Sequence, residues 1–139
     1  MLTLDINEKP DTHYCIPTRL KEEQIRANLA RVSARLKPGV VDREEPIAIA
    51  CFGPSLHDTW ENMPDFARVV MTCSGAHKFL LKNGIMPLYH ADCDPRPHKV
   101  ELLGQPHYGI QYLIATTVHP NYLDVLEWYD VKLWHVFDA

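Results

Sequence analysis

The stretch that most constrains the fold is the uncharged run from Ile47 to Phe52, which is followed at once by the turn Gly53-Pro54-Ser55. The run is too short for a helix, and its apolar composition predicts a strand buried on both faces. Gly53 permits a close approach to a ligand, Pro54 suits the first turn of a helix, and Ser55 offers a hydroxyl beside backbone N–H groups. Such a strand-turn-helix junction commonly binds anions, so it predicts a phosphate pocket; a tight turn without a ligand is the structural alternative.

The length, charge and composition of the chain argue against several classes of protein. The 139 residues are enough for one domain with a single core. The net charge of −4 does not favour non-specific binding to nucleic acid, and no apolar run approaches the ~20 residues of a membrane span. Residues 1–10 contain no apolar signal core, and the four cysteines show no C-x-x-C spacing. We therefore expect a protein of the reducing cytoplasm, with neither nucleic acid nor membrane as a partner.

Strand and helix patterns alternate along the chain, which predicts an α/β fold with an open, mainly parallel sheet of five strands covered by helices on both faces. The predicted strands are residues 47–52, 68–72, 88–93, 112–116 and 132–137. We expect the strand order 3-2-1-4-5. Residues 1–46 are predicted to form an irregular arm and an amphipathic helix over 19–36, and residues 47–139 the α/β domain. No helix follows the fifth strand, so we expect either that this domain is truncated at its carboxyl end or that the N-terminal helix covers that face.

Small, hydroxyl and acidic side chains collect where the predicted strands end. They are Gly53, Pro54 and Ser55; Cys73, Ser74 and Gly75; Asp92 and Asp94; Thr116, Thr117 and His119; and Asp138. Ligands of open α/β sheets bind at the carboxyl ends of the strands, so these residues are the candidate site. We consider His119 either a general base at the mouth of the cleft or a polar loop residue. The alternative for the whole set is that loops are simply polar.

The acidic pair of the third strand suggests a metal. Asp92 and Asp94 lie on one side of an extended chain, where two carboxylates can hold Mg²⁺ and bridge it to a di- or triphosphate. Arg96 and Lys99 follow closely and are predicted to neutralise phosphate charge. The structural alternative is that Asp94 caps the Asp-Pro turn while Asp92 pairs with Arg96.

The other motifs of the sequence either give weak support for a function or argue against one. A zinc site from His90, Cys93, His98 and His119 is conceivable, but the spacing matches no standard pattern. His77 and Lys78 are predicted to lie on a solvated helix face. The sequence contains no nucleophile elbow, Walker lysine motif or Gly-x-Gly-x-x-Gly, which disfavours hydrolase, P-loop and classical dinucleotide functions.

The ordered set of motifs resembles the MptE-like family, named for an archaeal 6-hydroxymethylpterin diphosphokinase and related to motility-associated flagellin glycosyltransferases. The resemblance lies in Gly53-Pro54-Ser55-Leu56 and in residues 73–80, 83–87 and 92–95. Gly-Pro-Ser-Leu is also similar to the nucleotide-sugar loop of some bacterial sialyltransferases. The fuller stretch over residues 90–104 looks like a phage-encoded branch, which would place the protein in the host cytoplasm.

This resemblance implies a Rossmann-like fold and a nucleotide ligand. It implies that Gly53 and Ser55 contact phosphate, that Ser74 lies near the nucleotide, and that Asp92 or Asp94 faces the metal or the acceptor. The family continues into another glycine- and serine-rich strand-helix unit that this sequence lacks.

Two classes of function are therefore expected. The first is a nucleotide-binding transferase: either a Mg²⁺-dependent, diphosphokinase-like enzyme that uses ATP on a small hydroxyl-bearing acceptor, or a glycosyltransferase domain that uses a nucleotide sugar. The second is a non-catalytic phage accessory protein or nucleotide-binding module. Homo-oligomer formation is left open.

Overall fold

A computed structural model describes residues 16–37, 39 and 44–135 and contains one sheet of five parallel strands. The strands are β1 Ile47–Ala50, β2 Val69–Cys73, β3 Tyr89–Asp92, β4 Gln111–Ala115 and β5 Val131–Trp134. The helices are α1 Thr18–Arg31, α2 Leu56–Thr59, α3 Met63–Phe66, α4 Ala76–Lys82, α5 Val100–Leu103 and α6 Asn121–Val125. Residues 1–15 of the predicted amino-terminal arm, which was expected to span residues 1–17, lie outside the described residues, as does the strand end at Asp138.

The strands are ordered β1-β2-β3-β4-β5, so the predicted order 3-2-1-4-5 was wrong. Each connection steps to the next position in the same direction, which places β1 at an edge of the described sheet. Hydrophobic patterning specifies which segments are strands, but it does not specify the direction in which each crossover steps. Right-handed crossovers that all step one way carry their helices to one face of the sheet.

Burial along the strands agrees with this one-sided arrangement. The face under the helices is buried at Ala50, Val70, Thr72, His90, Asp92, Tyr112, Ile114 and Leu133. On the opposite face, Ile47 is 53% and Ile49 is 59% exposed. The predictions that β1 is buried on both faces and that helices cover both faces are therefore wrong for residues 44–135.

The core lies entirely under the helix-covered face and consists of two clusters. The larger joins β4 and β5 to α5 and α6, and includes the fully buried Ile114 and Leu133. The smaller joins β1 and β2 to α4, where Leu80 is fully buried. Alternate residues of each strand point to the same face, so the apolar positions determine which side the helices cover.

Helix α1 differs from its prediction, because it ends at Arg31 and buries only a polar side chain, Asn28. The amide of Asn28 donates to the carbonyl oxygens of Thr116 (3.0 Å) and Val118 (2.8 Å). The next residues are extended beside β5, where the N–H of Leu36 donates to the carbonyl oxygen of Leu133 (2.8 Å). The predicted amphipathic helix over 19–36 is thus a shorter helix held by polar contacts. Among the described helices, none combines the length and the apolarity needed to cross a bilayer.

Replacing Asn28 with Ala is expected to lower the free energy of unfolding by about 1 kcal/mol, since two buried carbonyl oxygens lose their donor. Urea denaturation followed by circular dichroism measures the change. Arg26→Ala is the control, because Arg26 is exposed on the same helix and its replacement should cost less than about 0.5 kcal/mol. Equal stability of both variants and the native chain would show that Asn28 does not anchor α1.

Candidate functional site at the carboxyl edge of the sheet

Three of the predicted site segments lie along one edge of the sheet. Because β1 pairs with β2 and β2 pairs with β3, all in parallel, the Gly53–Ser55 turn, the Ser74–Gly75 turn and Asp92 follow neighbouring strand ends. Neighbouring strands are about 4.8 Å apart, so the ends of β1 and β3 are separated by about 10 Å in the plane of the sheet. A ligand of nucleotide size can span that distance.

The first two turns are packed against each other. The ring of Phe52 lies on Gly75 so closely that a Cβ at position 75 would be 2.5 Å from the ring Cδ1. The absence of a side chain at Gly75 therefore lets the loop after β1 contact the loop after β2. Gly53, by contrast, has open space where a Cβ would lie. In the loop after β2, Ser74 adopts a left-handed conformation with φ 53°, which is uncommon for a residue other than glycine.

Both serines of these turns have hydroxyl groups available to a ligand. Ser55 is exposed and Ser74 is half-buried. Ser55 is the N-cap residue of α2 but makes no side-chain cap hydrogen bond, and the N-cap residue of α4 is Gly75, which follows Ser74. Pro54, which precedes Ser55 in the first turn, is exposed and supplies no N–H of its own. The edge thus presents hydroxyls on two neighbouring loops.

Asp92 ends β3 and is almost fully buried. Its Oδ1 accepts hydrogen bonds from the backbone N–H groups of Cys93 (2.8 Å) and Asp94 (3.1 Å), and its Oδ2 accepts one from the Tyr122 hydroxyl (3.0 Å). Burial raises the pKa of Asp92, and the three hydrogen bonds oppose that shift. The carboxylate is therefore held in one orientation by partners on both of its oxygens.

A buried polar chain continues from Asp92 into the core. The Nε2 of His90 is 3.0 Å from the Tyr122 hydroxyl, and its Nδ1 is 3.0 Å from the hydroxyl of Thr72. Burial, together with the neighbouring His77, lowers the pKa of His90 to about 3, so its imidazole is neutral at pH 7. If Tyr122 donates to Asp92, then His90 donates from Nε2 to Tyr122 and accepts at Nδ1 from Thr72.

Asp94 is paired with the two cations that were predicted to bind phosphate. The Nε of Arg96 donates to its Oδ1 (2.8 Å), and the Nζ of Lys99 lies 3.1 Å from its Oδ2. The backbone N–H of Arg96 also donates to Oδ1 (3.1 Å), so Asp94 closes the Asp-Pro turn as in the structural alternative. The partner of Arg96 is Asp94, whereas that alternative named Asp92.

These partners do not fit a resident magnesium ion, which needs carboxylate oxygens directed at it. Both oxygens of Asp92 and both oxygens of Asp94 accept from protein donors. Within the described part of the chain, no group of three or more His, Cys, Asp or Glu side chains is placed to hold a metal ion. The magnesium site remains a prediction from the sequence alone.

The Asp94 cluster predicts a pH dependence of stability. Partial burial alone would raise the pKa of Asp94, but hydrogen bonds from Arg96 and Lys99 lower it from 3.8 to about 2. A lowered folded-state pKa stabilises the fold above pH 3.8, and this contribution is lost as the pH falls towards 2. With solvent screening, we expect about 1 kcal/mol.

Urea denaturation of the native chain and of Asp94→Asn at several pH values measures this contribution. The difference between them should be constant above about pH 5 and should shrink as the pH falls from about 4 to about 2. A difference that does not change with pH would show that the ion pairs contribute nothing.

His119 lies half-buried beyond the end of β4. Its Nδ1 accepts a long hydrogen bond from the backbone N–H of Asn121 (3.3 Å). A neutral imidazole that accepts at Nδ1 carries its proton on Nε2, so in this arrangement His119 is a hydrogen-bond donor. To act as the predicted general base through Nε2, His119 would have to carry its proton on Nδ1 instead.

Two other histidines are buried. His77, predicted to lie on a solvated helix face, is fully buried; its Nδ1 donates to the carbonyl oxygen of Leu103 (2.7 Å), and its Nε2 accepts from the Tyr112 hydroxyl (3.1 Å). His90 uses both ring nitrogens within the core. Both ring nitrogens of His90 are thus unavailable for the conceivable zinc site. Lys78 is exposed, as predicted.

The arrangement of the sheet and its edge allows a comparison with solved structures. The fold is similar to that of a glycosyltransferase. The structure of MAf glycosyltransferase from Magnetospirillum magneticum AMB-1 aligns with a TM-score of 0.63 and 24% sequence identity, over 86% of this chain and 21% of that chain. This chain therefore spans about a fifth of the length of its structural neighbour. No protein-family model and no curated protein sequence matches it.

The similarity to the MAf glycosyltransferase confirms the Rossmann-like α/β fold class. At this level of identity it shows the fold, and the chemistry of this chain has to be argued from its own site. Tyr122 is the site residue that the sequence analysis missed. It lies on α6, 30 residues beyond Asp92, and only the packing of α6 on β3 brings its hydroxyl to the carboxylate.

Proposed function

We propose that this chain is the nucleotide-binding part of a transferase, and that a nucleotide sugar is its donor. The observation that carries the proposal is the contact between the loops after β1 and β2, which sets the hydroxyls of Ser55 and Ser74 on neighbouring strand ends. The similarity to a glycosyltransferase favours a sugar over other transferred groups. Such a pocket holds a donor through its phosphates.

In this proposal the chain's own residues position the donor and balance its charge. Gly53 and Ser55 supply backbone N–H groups to one phosphate, the hydroxyl of Ser55 donates to the same phosphate, and the hydroxyl of Ser74 contacts the donor next to it. Asp94, Arg96 and Lys99 together carry a net charge of +1, which favours an anionic leaving group at the end of β3. The Nε2–H of His119 donates to the same group, and catalysis comes from positioning and electrostatic stabilisation.

The diphosphokinase-like function is the second form of the same proposal, because the same edge would hold the triphosphate of ATP. Its acceptor would be a small molecule with a hydroxyl group. Magnesium would accompany the nucleotide in this form, since both candidate carboxylates are engaged by protein donors.

Calorimetric titration of the folded chain tests the proposal. CMP-, UDP- and GDP-sugars and ATP are titrated separately, each with and without magnesium. Binding of a nucleotide sugar supports the glycosyltransferase form, and magnesium-dependent binding of ATP supports the diphosphokinase form. A folded chain that binds none of these ligands at millimolar concentration overturns the proposal.

Replacing Ser55 or Ser74 with Ala is expected to weaken binding of the nucleotide about 5- to 10-fold, which corresponds to the loss of one hydrogen bond. Titration of each variant with the ligand found above measures the effect. Ser33→Ala is the matched control, because Ser33 is the remaining serine of the chain and is exposed after α1. If neither Ser55→Ala nor Ser74→Ala changes the affinity for the nucleotide, the nucleotide binds elsewhere.

A further inference from the structure

Two cysteines face each other at the edge where β1 and β2 end. Ala50 of β1 pairs with Thr72 of β2, so Cys51 and Cys73 are the next opposed positions. Both follow the side-chain alternation of Ile49 and Met71, which are paired on the uncovered face of the sheet. Opposed Cα atoms of neighbouring strands are about 4.8 Å apart, which lies within the range that disulfides span.

The two thiols differ in access. Cys51 is exposed and Cys73 is half-buried, and both are free thiols. Burial and then the adjacent Cys51 thiol raise the pKa of Cys73 to about 11. A reagent in solution therefore meets Cys51 first, and Cys73 reacts only with a group already attached to Cys51.

We propose that Cys51 and Cys73 form a dithiol site that is oxidised by low-molecular-weight disulfides. The Cys51 thiolate attacks glutathione disulfide, which forms a mixed disulfide and releases one glutathione thiolate. The Cys73 thiolate then attacks the Cys51 sulfur and releases the second glutathione. The chain loses two protons and two electrons, and glutathione disulfide is reduced to two molecules of glutathione.

The disulfide would covalently join the starts of the loops that follow β1 and β2. Cys51 immediately precedes Phe52 and Gly53, and Cys73 immediately precedes Ser74 and Gly75. The bond closes a loop of residues 51–73 and restricts the unfolded chain, so the oxidised protein should unfold at a higher urea concentration. This inference depends on the strand register and does not require the nucleotide function.

Peptide mapping of the full chain tests the site. Trypsin separates the cysteines, since Cys51 lies in peptide 44–68, Cys73 in 69–78 and Cys93 in 83–99. After incubation of reduced protein with glutathione disulfide, we expect peptides 44–68 and 69–78 to be linked, and the intact mass to fall by about 2 Da. Free thiols at both positions, stable glutathionylation without closure, or a different dominant pair would overturn the proposal.

Two variants with equal numbers of cysteines test the pairing. Cys15→Ser/Cys93→Ser keeps Cys51 and Cys73, whereas Cys15→Ser/Cys51→Ser keeps Cys73 and Cys93. The first should form an intramolecular disulfide at least about tenfold faster than the second. Equal rates would contradict the assignment, and if either variant does not fold, the peptide map of the native chain decides.

Discussion

Replacing Tyr122 with Phe is expected to lower the free energy of unfolding by about 2–3 kcal/mol. The hydroxyl lies 3.0 Å from Oδ2 of Asp92 and 3.0 Å from Nε2 of His90, so its removal leaves two buried polar groups without their partner. Both groups are almost fully buried, so neither readily regains a partner from bulk water. Guanidinium denaturation monitored by fluorescence measures the loss.

Tyr108→Phe is the matched control for this experiment. Tyr108 is 76% exposed, so loss of its hydroxyl should change the free energy of unfolding by less than about 0.5 kcal/mol. If both Tyr122→Phe and Tyr108→Phe lower the free energy of unfolding by less than about 0.5 kcal/mol, water replaces the Tyr122 hydroxyl. In that case the hydrogen-bonded series of Asp92, Tyr122 and His90 does not act as a unit.

The strand and helix succession was predictable because it depends on local patterns. Each predicted strand overlaps an observed one, and the loops that end β1, β2 and β3 share one edge whatever the strand order, because all strands are parallel. The position of Gly53, Ser55 and Ser74 at that edge followed from this rule alone. The order itself depends on which way each crossover steps, and no local residue pattern encodes that choice.

The burial of polar side chains such as His77 was not predictable from the sequence, because it too depends on contacts between distant parts of the chain. His77 stands in a helical segment beside Lys78, and a polar pair of this kind usually faces solvent. Its burial is favourable only because the carbonyl oxygen of Leu103 and the hydroxyl of Tyr112 reach it from distant parts of the chain. The turn at Asp94 was easier to anticipate, since it is local, but the sequence analysis assigned Arg96 to Asp92 when its partner in that turn is Asp94.

Replacing Gly75 with Ala is expected to lower the free energy of unfolding by about 1–3 kcal/mol. The new Cβ would lie 2.5 Å from the ring of Phe52, so the ring and the loop after β1 have to move. Gly53→Ala is the matched control in the adjacent turn, because its Cβ would meet open space; that variant should be within about 0.5 kcal/mol of the native chain. Urea denaturation of both variants measures the difference.

A double-mutant cycle with Phe52→Ala identifies the cause of that cost. If the clash with the ring is responsible, Gly75→Ala should cost less than about 0.5 kcal/mol once the ring is removed, which gives a coupling energy of about 0.5–3 kcal/mol. An equal cost in both backgrounds would mean that position 75 is restricted by its own backbone. The cycle also bears on function, because the Phe52–Gly75 contact is what brings the loops of Ser55 and Ser74 together. Gly75→Ala should therefore weaken nucleotide binding about tenfold, whereas Gly53→Ala keeps the phosphate-facing N–H and the contact between the loops, and should weaken binding less.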